Sequence, residues 1–251
     1  MANFATHAAV GIVASGMLST LTMAADIVPV NDLVTLALAG TFGAVLPDID
    51  LENSRASRVM FAGLGVFLAF AFLFNYSWKF SVAEMWIIWV GTYLMVRYFG
   101  HNVFHKYARH RGVFHSLIAG VFFAIATAAI YFRVFGADPT LAWLAGLFVL
   151  VGYVIHLLLD EIYSVDFYGS RVKRSFGTAL KIYDSNSITG SLAMVGAAVL
   201  AFWVAPTVEP FVTAVSSDVV WNGLQERMLP SDKWFGFIAE ADRLALVVAE
   251  E

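Results

Sequence analysis

Two ionisable residues, His156 and Asp160, carry the clearest chemical pattern in the sequence. They are separated by three leucines in an apolar stretch. Residues i and i+4 share one face of a helix, so this imidazole and this carboxylate could bind one ion together. Such nitrogen and oxygen ligands suit Zn²⁺, Mn²⁺ or Fe²⁺. The alternative is an interfacial Asp160 that is hydrated or paired with Arg171, although a carboxylate among leucines favours compensation by a cation.

Two further carboxylates flank one isoleucine after a proline. Pro47 ends an apolar stretch, and Asp48 and Asp50 come next. In an extended segment alternate residues point to opposite sides, so one aspartate could bind a metal while the other orients a ligand. The alternative is an ordinary polar turn in which Asp50 caps the following helix.

A dense polar run lies between residues 110 and 116. Arg111 could hold a phosphate or a carboxylate with its planar guanidinium. His115, near a predicted helix start, could ligate a metal, and Ser116 could donate to a bound oxyanion. His110 could protonate a leaving group. The alternative is a basic juxtamembrane anchor followed by the first turn of a helix.

The composition indicates which elements must position these residues. Of 251 residues, 60% are hydrophobic and 14% are charged, whereas soluble domains average about 45–50% apolar and about 25% charged residues. The absence of cysteine excludes thiolate ligands, and a net charge of −4 gives no indication of nucleic-acid binding. We therefore expect an all-α, polytopic transmembrane helical bundle of about seven spans. The predicted spans cover residues 5–25, 33–47, 59–78, 82–99, 112–135, 140–159 and 188–205, and the second is short.

The distribution of basic residues orients these spans. If all segments cross, the loops on the side of the N-terminus contain Arg55, Arg58, Arg97, Lys106, Arg109, Arg111, Arg171, Lys173, Arg174 and Lys181. The opposite loops contain only Lys79 and Arg133. The positive-inside rule then predicts a cytoplasmic N-terminus. No basic residue precedes Arg55, so residues 5–25 are interpreted as a retained span and not as a signal peptide. We divide the chain into a transmembrane domain, residues 1–205, and a partly helical extramembrane or interfacial tail, residues 206–251.

The same alternation of spans gathers the ionisable residues at one membrane face. His115 and Ser116 would lie one turn into the fifth span. All 6 histidines and three aspartates fall at or near predicted cytoplasmic ends. They are His7, His101, His105, His110, His115, His156, Asp48, Asp50 and Asp160. This convergence of residues that are distant in sequence predicts a metal site at the cytoplasmic ends of the helices.

Four motifs resemble those of a known family. THAAVG, LPDID, HRGVFHSL and GYVIHLLLDEIYS occur in this order within about residues 1–165. This order resembles the YdjM-like family, described as LexA-binding, inner-membrane-associated metal-dependent hydrolases. More distantly, the pattern is similar to zinc-dependent phospholipase C and P1-type nucleases, which are helical phosphoesterases with His and Asp ligands. Phe114 and Tyr163 depart from the family pattern, which usually has Thr at both positions.

The resemblance implies roles for individual residues. By position it implies metal ligation by His7, Asp48, Asp50, His115, His156 and Asp160, with the catalytic neighbours His110, Arg111 and Ser116. The resulting hypothesis is a metal-dependent hydrolase of the prokaryotic inner (cytoplasmic) membrane, with zinc favoured over manganese or iron. We expect the substrate to be a phosphoester or related ester, either a lipid or another amphiphile, at the cytoplasmic face.

Two other classes of function stay open. A non-catalytic membrane scaffold or regulator could use the same metal to hold helix ends together. A transporter is less favoured, because transporters place ionisable groups or broken helices near the bilayer midplane, whereas these predicted spans have apolar middles.

Overall fold

Helices form most of the described chain. The computed structural model describes residues 3–50, 55–76, 79–107, 112–166, 171–172 and 180–229. The α-helices in these ranges are α1 (Phe4–Ala24), α2 (Leu33–Gly43), α3 (Arg55–Tyr76), α4 (Val82–Leu94), α5 (His101–Tyr107), α6 (Leu117–Arg133), α7 (Pro139–Ile162), α8 (Ile188–Val204), α9 (Glu209–Val215) and α10 (Asp218–Met228). Short 3₁₀ helices, Val30–Asp32 and Leu46–Asp50, flank α2, and a π-helix, Met95–Gly100, joins α4 to α5. An antiparallel pair of two-residue strands, β1 (Val165–Asp166) and β2 (Arg171–Val172), follows α7.

Three of these helices are long and apolar enough to cross a membrane. They are α1, α7 and the segment Ser57–Phe74 of α3. A fourth candidate is the pair α8 and α9, which is bent by 89° at the break between them. The apolar helices α2 and α6 are shorter, and a π-helix interrupts the predicted fourth span. The described residues therefore contain three to four candidate spans, and the larger number of seven stays a prediction.

Helix α1 has the inverted polarity that is expected of a helix in lipid. Its outward face presents large apolar side chains, including Ile12, Val13 and Met17, whose exposed fractions are 58%, 62% and 64%. Its inward face consists of small and polar residues. These are His7, Gly11, Ser15, Ser19 and Thr22. Small residues let helices approach closely inside a membrane, where apolar side chains gain little by leaving lipid.

Helix α7 lies at the centre of the bundle and packs against α1, α2 and α6. The side chain of Asp138 accepts from the backbone N–H groups at the start of the helix, and Pro139 occupies the first turn, where a missing N–H costs nothing. The contact with α2 is unusually close, because a Cβ atom at Gly152 would overlap the carbonyl oxygen of Gly40. This close approach places the end of α2 beside the last two turns of α7.

The predicted fifth span begins later than expected. Helix α6 starts at Leu117, so His115 and Ser116 precede the helix and do not lie one turn inside it. Ser116 pairs with Lys181 in a parallel β-bridge. The N–H of Leu117 donates to the carbonyl of Lys181 at 2.9 Å. The segment at Lys181 thus supplies an acceptor for an N–H that has no partner inside its own helix. This contact fixes where α6 begins.

The predicted tail is helical where it is described. Residues 206–229 include α9 and α10, while residues 230–251 lie outside the described ranges. Arg227 Nη1 donates to the carbonyl of Ala24 at 3.1 Å, which attaches α10 to the end of α1. The division of the chain at residue 205 stays a prediction.

Candidate metal centre

Four separate segments bring ionisable side chains into one buried cluster. His7 lies in the first turns of α1, and His156 and Asp160 lie in the last two turns of α7. Asp48 belongs to the 3₁₀ helix that follows α2, and His115 immediately precedes α6. Asp48 is 5% exposed, and the other four side chains are fully buried. The cluster therefore has little water available to solvate its charges.

The distances within this cluster suit a shared cation. One group contains His7, His156 and Asp160, and the other contains Asp48, His115 and His156; within each group the ligand atoms lie within 4.8 Å of one another. His156 Nε2 lies 3.7 Å from Asp48 Oδ1 and 3.9 Å from Asp160 Oδ2. His115 Nε2 lies 4.0 Å from Asp160 Oδ2. His156 belongs to both groups, and Asp160 of the first group contacts His115 of the second, so the two groups form one continuous centre.

A backbone carbonyl orients His156. Its Nδ1 lies 2.8 Å from the carbonyl oxygen of Ala44, which can only accept a hydrogen bond. This contact assigns the proton to Nδ1 and leaves the Nε2 lone pair directed towards the carboxylates. Among the described residues, Nε2 is buried and has no hydrogen-bond partner. A ligating histidine characteristically binds the metal with one nitrogen while its other nitrogen donates to the protein.

His115 has the same arrangement with a carboxylate in place of the carbonyl. Its Nδ1 lies 3.2 Å from Asp50 Oδ2, and both side chains are fully buried. A proton on Nδ1 then directs Nε2 towards Asp160. The geometry therefore separates the two aspartates of the LPDID motif. Asp48 faces the imidazole of His156, and Asp50 holds the imidazole of His115.

His7 stacks on His156. The ring centroids are 3.7 Å apart, and the rings are inclined by 12°. His7 Nε2 also lies 3.2 Å from Asp160 Oδ1. The stacking and the contact with Asp160 place the imidazole of His7 within the centre. Neutral imidazoles are the form that binds metal ions.

Burial disfavours the charged form of Asp48. Removal of this carboxyl from water raises its pKa above the ordinary value, and the nearby imidazoles of His7 and His115 oppose that rise. A divalent cation would stabilise the carboxylate in the same way, and more strongly. Three imidazoles and two carboxylates around a buried position, with the Nε2 atom of His156 lacking a hydrogen bond among the described residues, fit a divalent cation. The cluster could thus hold a metal ion.

The comparisons with known proteins agree with a membrane location. Residues 1–214 match the family model described as YdjM inner membrane protein. The chain belongs to this family. The match covers every segment of the metal centre. It also covers the candidate spans of this YdjM family member, apart from Val215, the last residue of α9. No curated protein and no solved structure matches the chain.

Of the three predicted catalytic residues of this YdjM family member, the structure describes only Ser116. His110 and Arg111 lie outside the described residues. Ser116 is fully buried, and its hydroxyl donates to the carbonyl of Val113 at 2.5 Å. The hydroxyl is thus used locally to hold the turn before α6. Its role towards a bound oxyanion stays a prediction.

Two contacts near the centre were absent from the sequence interpretation. The hydroxyl of Tyr153 donates to the carbonyl of Phe114, immediately before His115. Tyr153 precedes His156 by three residues and so lies on the same face of α7, which is the sequence signal that could have revealed it. The segment beginning at Lys181 is the second case, because its bridge to Ser116 is a tertiary contact with no local pattern.

A second polar contact lies outside the centre. Ser57 Oγ of α3 lies 2.8 Å from His105 Nε2 of α5, and both residues are buried. The ring centroids of His101 and His105 are 4.3 Å apart, and the rings are inclined by 62°. These histidines belong to neither metal group, so the structure does not gather all of the described histidines at one site; His110 lies outside the described residues.

Proposed function

We propose that this chain is a membrane-embedded, metal-dependent hydrolase of phosphoesters or related esters, acting on a lipid or another amphiphile at the cytoplasmic membrane face. The observation that supports it most strongly is the buried cluster of three imidazoles and two carboxylates. It consists of two groups that share His156, and within each group the ligand atoms lie within 4.8 Å of one another. Membership of an inner membrane protein family favours a membrane-bound substrate. The orientation of the site towards the cytoplasm follows from the basic loops and belongs to the proposal.

In this proposal, His7, Asp48, His115, His156 and Asp160 hold the cation. Asp50 and the carbonyl of Ala44 orient two of the imidazoles through Nδ1. Zn²⁺ suits these ligands best, and Mn²⁺ and Fe²⁺ suit them as well. A cation bound there supplies Lewis acidity and lowers the pKa of a bound water towards about 7.

The proposed reaction is hydrolysis. Water gives up one proton to the solvent, its oxygen bonds to phosphorus, or to the acyl carbon of a carboxylic ester, and the bond to the leaving oxygen breaks. Arg111 stabilises the negative charge that develops on the non-bridging oxygens, while Ser116 holds the turn before α6 through its bond to the carbonyl of Val113. His110 gives a proton to the leaving alcohol. Buried surroundings exclude bulk water from the ligand residues, which strengthens these electrostatic contacts.

The test is the metal content and the activity of the full chain purified in detergent without added metal. We expect close to one or two equivalents of metal by elemental analysis, and phosphodiester or phospholipid turnover that a chelator abolishes. His156→Ala and Asp160→Ala should lose the metal while circular dichroism shows unchanged helix content. His101→Ala is the matched control, because His101 belongs to neither metal group. Metal retained in both cluster variants would contradict the ligand assignment.

A metal-stabilised scaffold is the second candidate, and the complete burial of His7, His115, His156 and Asp160 favours it. In that case the cation only joins the ends of α1, α2 and α7. Chelation would then lower the unfolding temperature, and no ester substrate would turn over. Chelation-sensitive turnover in the wild-type chain would exclude the scaffold.

A further inference from the structure

A large cavity lies beside the metal centre. It has a volume of about 1050 Å³ and is bounded by α3, α5, α6, α8 and the loop before α8. Small-molecule pockets typically measure about 300–1,000 Å³. The cavity is therefore large enough for an extended organic molecule.

The walls of this cavity change from polar to apolar along its length. Residues 184–189, in the loop before α8 and its first turn, supply carboxylate, hydroxyl and amide groups at one end. Phe61, Phe122, Ala193 and Ala197 line the rest. Ser187 precedes α8 and Ala197 lies ten residues further on, so at 1.5 Å per residue the apolar wall of α8 is about 15 Å deep. An occupant should have a polar end and a long apolar part.

The polar end of the cavity is also the end nearest the metal centre. Ile49 lines the cavity and stands between Asp48 and Asp50 in the chain. Phe114 lines it as well and immediately precedes His115. Hydrogen bonds at 2.9 and 3.1 Å hold the segment beginning at Lys181 against the start of α6. Both the loop and the ligand-bearing turns therefore meet at one end of the cavity.

The groups at this end can form hydrogen bonds with a polar headgroup. Asp184 is buried, and its carboxylate accepts from Lys181 Nζ at 3.1 Å and from the N–H of Asn186 at 3.3 Å. The negative charge of Asp184 is thus compensated within the loop. The hydroxyls of Ser185 and Ser187 line the cavity beside it and can donate to phosphate oxygens.

We propose that this cavity holds one acyl chain of a membrane phospholipid, with the phosphate of the headgroup at the loop of residues 184–189. The inference rests on the proposed function, since it names the substrate class of that centre. α8 belongs to a candidate span, so its cavity face lies at the depth of the hydrocarbon chains. An acyl chain gains little hydrophobic energy by leaving lipid, so the affinity comes from headgroup contacts together with van der Waals packing of the chain against the cavity wall.

The experiment fills the apolar part of the cavity. Ala193→Phe places a ring in it, and Leu192→Phe is the matched control, because Leu192 is 65% exposed and lies outside the lining. The probe is dipalmitoyl phosphatidylglycerol, added to the full chain in detergent and counted by native mass spectrometry. We expect one bound lipid in the wild-type chain and in the control, and at least ten-fold weaker binding in Ala193→Phe. Ala197→Phe repeats the test from the next turn of α8.

Two further arms distinguish this proposal from the metal-dependent activity. Asp160→Ala should lose the metal and retain the lipid, whereas Ala193→Phe should retain the metal and lose the lipid. Dihexanoyl phosphatidylglycerol should bind the wild-type chain more weakly than the dipalmitoyl lipid, and Ala193→Phe should remove this difference. The acyl-chain assignment would be overturned, whatever the metal result, if the wild-type chain and both filled variants bound the long-chain lipid equally well. Circular dichroism must be unchanged in the variants for this comparison. If ester hydrolysis does not depend on the metal while lipid binding is intact, only the proposed hydrolase is overturned.

Discussion

The two sides of this helical bundle are packed in opposite ways. On one side, α1 and α2 pack against α7 so closely that glycines replace side chains at the contact, and a Cβ at Gly152 would overlap Gly40. On the other side, α3, α5, α6 and α8 surround a cavity of about 1050 Å³. The metal centre lies on the closely packed side, and its edge reaches the cavity through Ile49 and Phe114. The comparison indicates that one side fixes ligand atoms while the other leaves space for a molecule.

The closely packed side suits a metal centre for a physical reason. An imidazole binds a cation only when its ring is correctly turned, and His156 is held by a carbonyl of the neighbouring helix at 2.8 Å. That carbonyl belongs to Ala44, at the end of α2, so the spacing between α2 and α7 sets the position of the imidazole. A change of about 1 Å in helix spacing would break this bond, because hydrogen bonds weaken beyond about 3.2 Å.

The largest expected effect comes from separating α2 and α7. Gly152→Ala forces a methyl group against the carbonyl of Gly40, and we expect a loss of about 3 kcal/mol or more in unfolding free energy together with loss of bound metal. Thermal unfolding in detergent and elemental analysis measure both. Gly196→Ala is the matched control, since a Cβ at Gly196 meets nothing within 4 Å. It should stabilise α8 by about 0.5–1 kcal/mol. If both variants behave alike, the contrast between the two sides is wrong.

A smaller effect should follow from loosening one imidazole without touching the helix spacing. Asp50→Asn weakens the acceptor 3.2 Å from His115 Nδ1, and we expect metal affinity to fall about 10–100-fold. The metal content at saturation should stay unchanged, because Asp50 orients a ligand and does not supply one. Asp48→Asn, in contrast, should lower the content at saturation. Metal titration with competing chelators separates the two variants, and the reverse result would exchange the roles of the two aspartates.

Some of this centre could be predicted from sequence because the contacts are local. His156 and Asp160 share one helix, so helical periodicity alone brings them to one face, and the structure places Nε2 and Oδ2 3.9 Å apart. The different placement of Asp48 and Asp50 was also predicted, but from the wrong backbone. These residues form part of a 3₁₀ helix and not an extended segment. Their side chains still diverge, because residues two apart in a 3₁₀ helix differ by about 240° in direction.

Other features depend on tertiary contacts that no sequence pattern records. Helix α6 begins at Leu117 because the carbonyl of Lys181, far along the chain, accepts its N–H. A hydropathy profile shows only a continuous apolar stretch from residue 112 and therefore predicts a span longer than the observed helix α6. The cavity is equally invisible, since Phe61, Phe122 and Ala193 read as ordinary apolar residues of separate helices. Membership of the YdjM inner membrane protein family, in contrast, was predicted from short motifs and is confirmed.

The smallest effect should come from the residue that joins the two sides. Tyr153 of α7 is fully buried, its hydroxyl donates to the carbonyl of Phe114, and its ring lies against Gly120 of α6. Tyr153→Phe keeps the ring and removes the hydroxyl. We expect a loss of about 1 kcal/mol in stability and a modest loss of metal affinity, because the turn that carries His115 is anchored less firmly.

Tyr183→Phe is the control for this substitution, since Tyr183 is 51% exposed and its change should be neutral. The test measures both the lipid affinity and the metal affinity of Tyr153→Phe. If Tyr153 couples the two sides, both affinities should fall together, since Phe114 lines the cavity and adjoins His115. A fall in metal affinity with unchanged lipid binding would show instead that the turn serves the metal centre alone, and that the cavity is positioned by α8 and its loop.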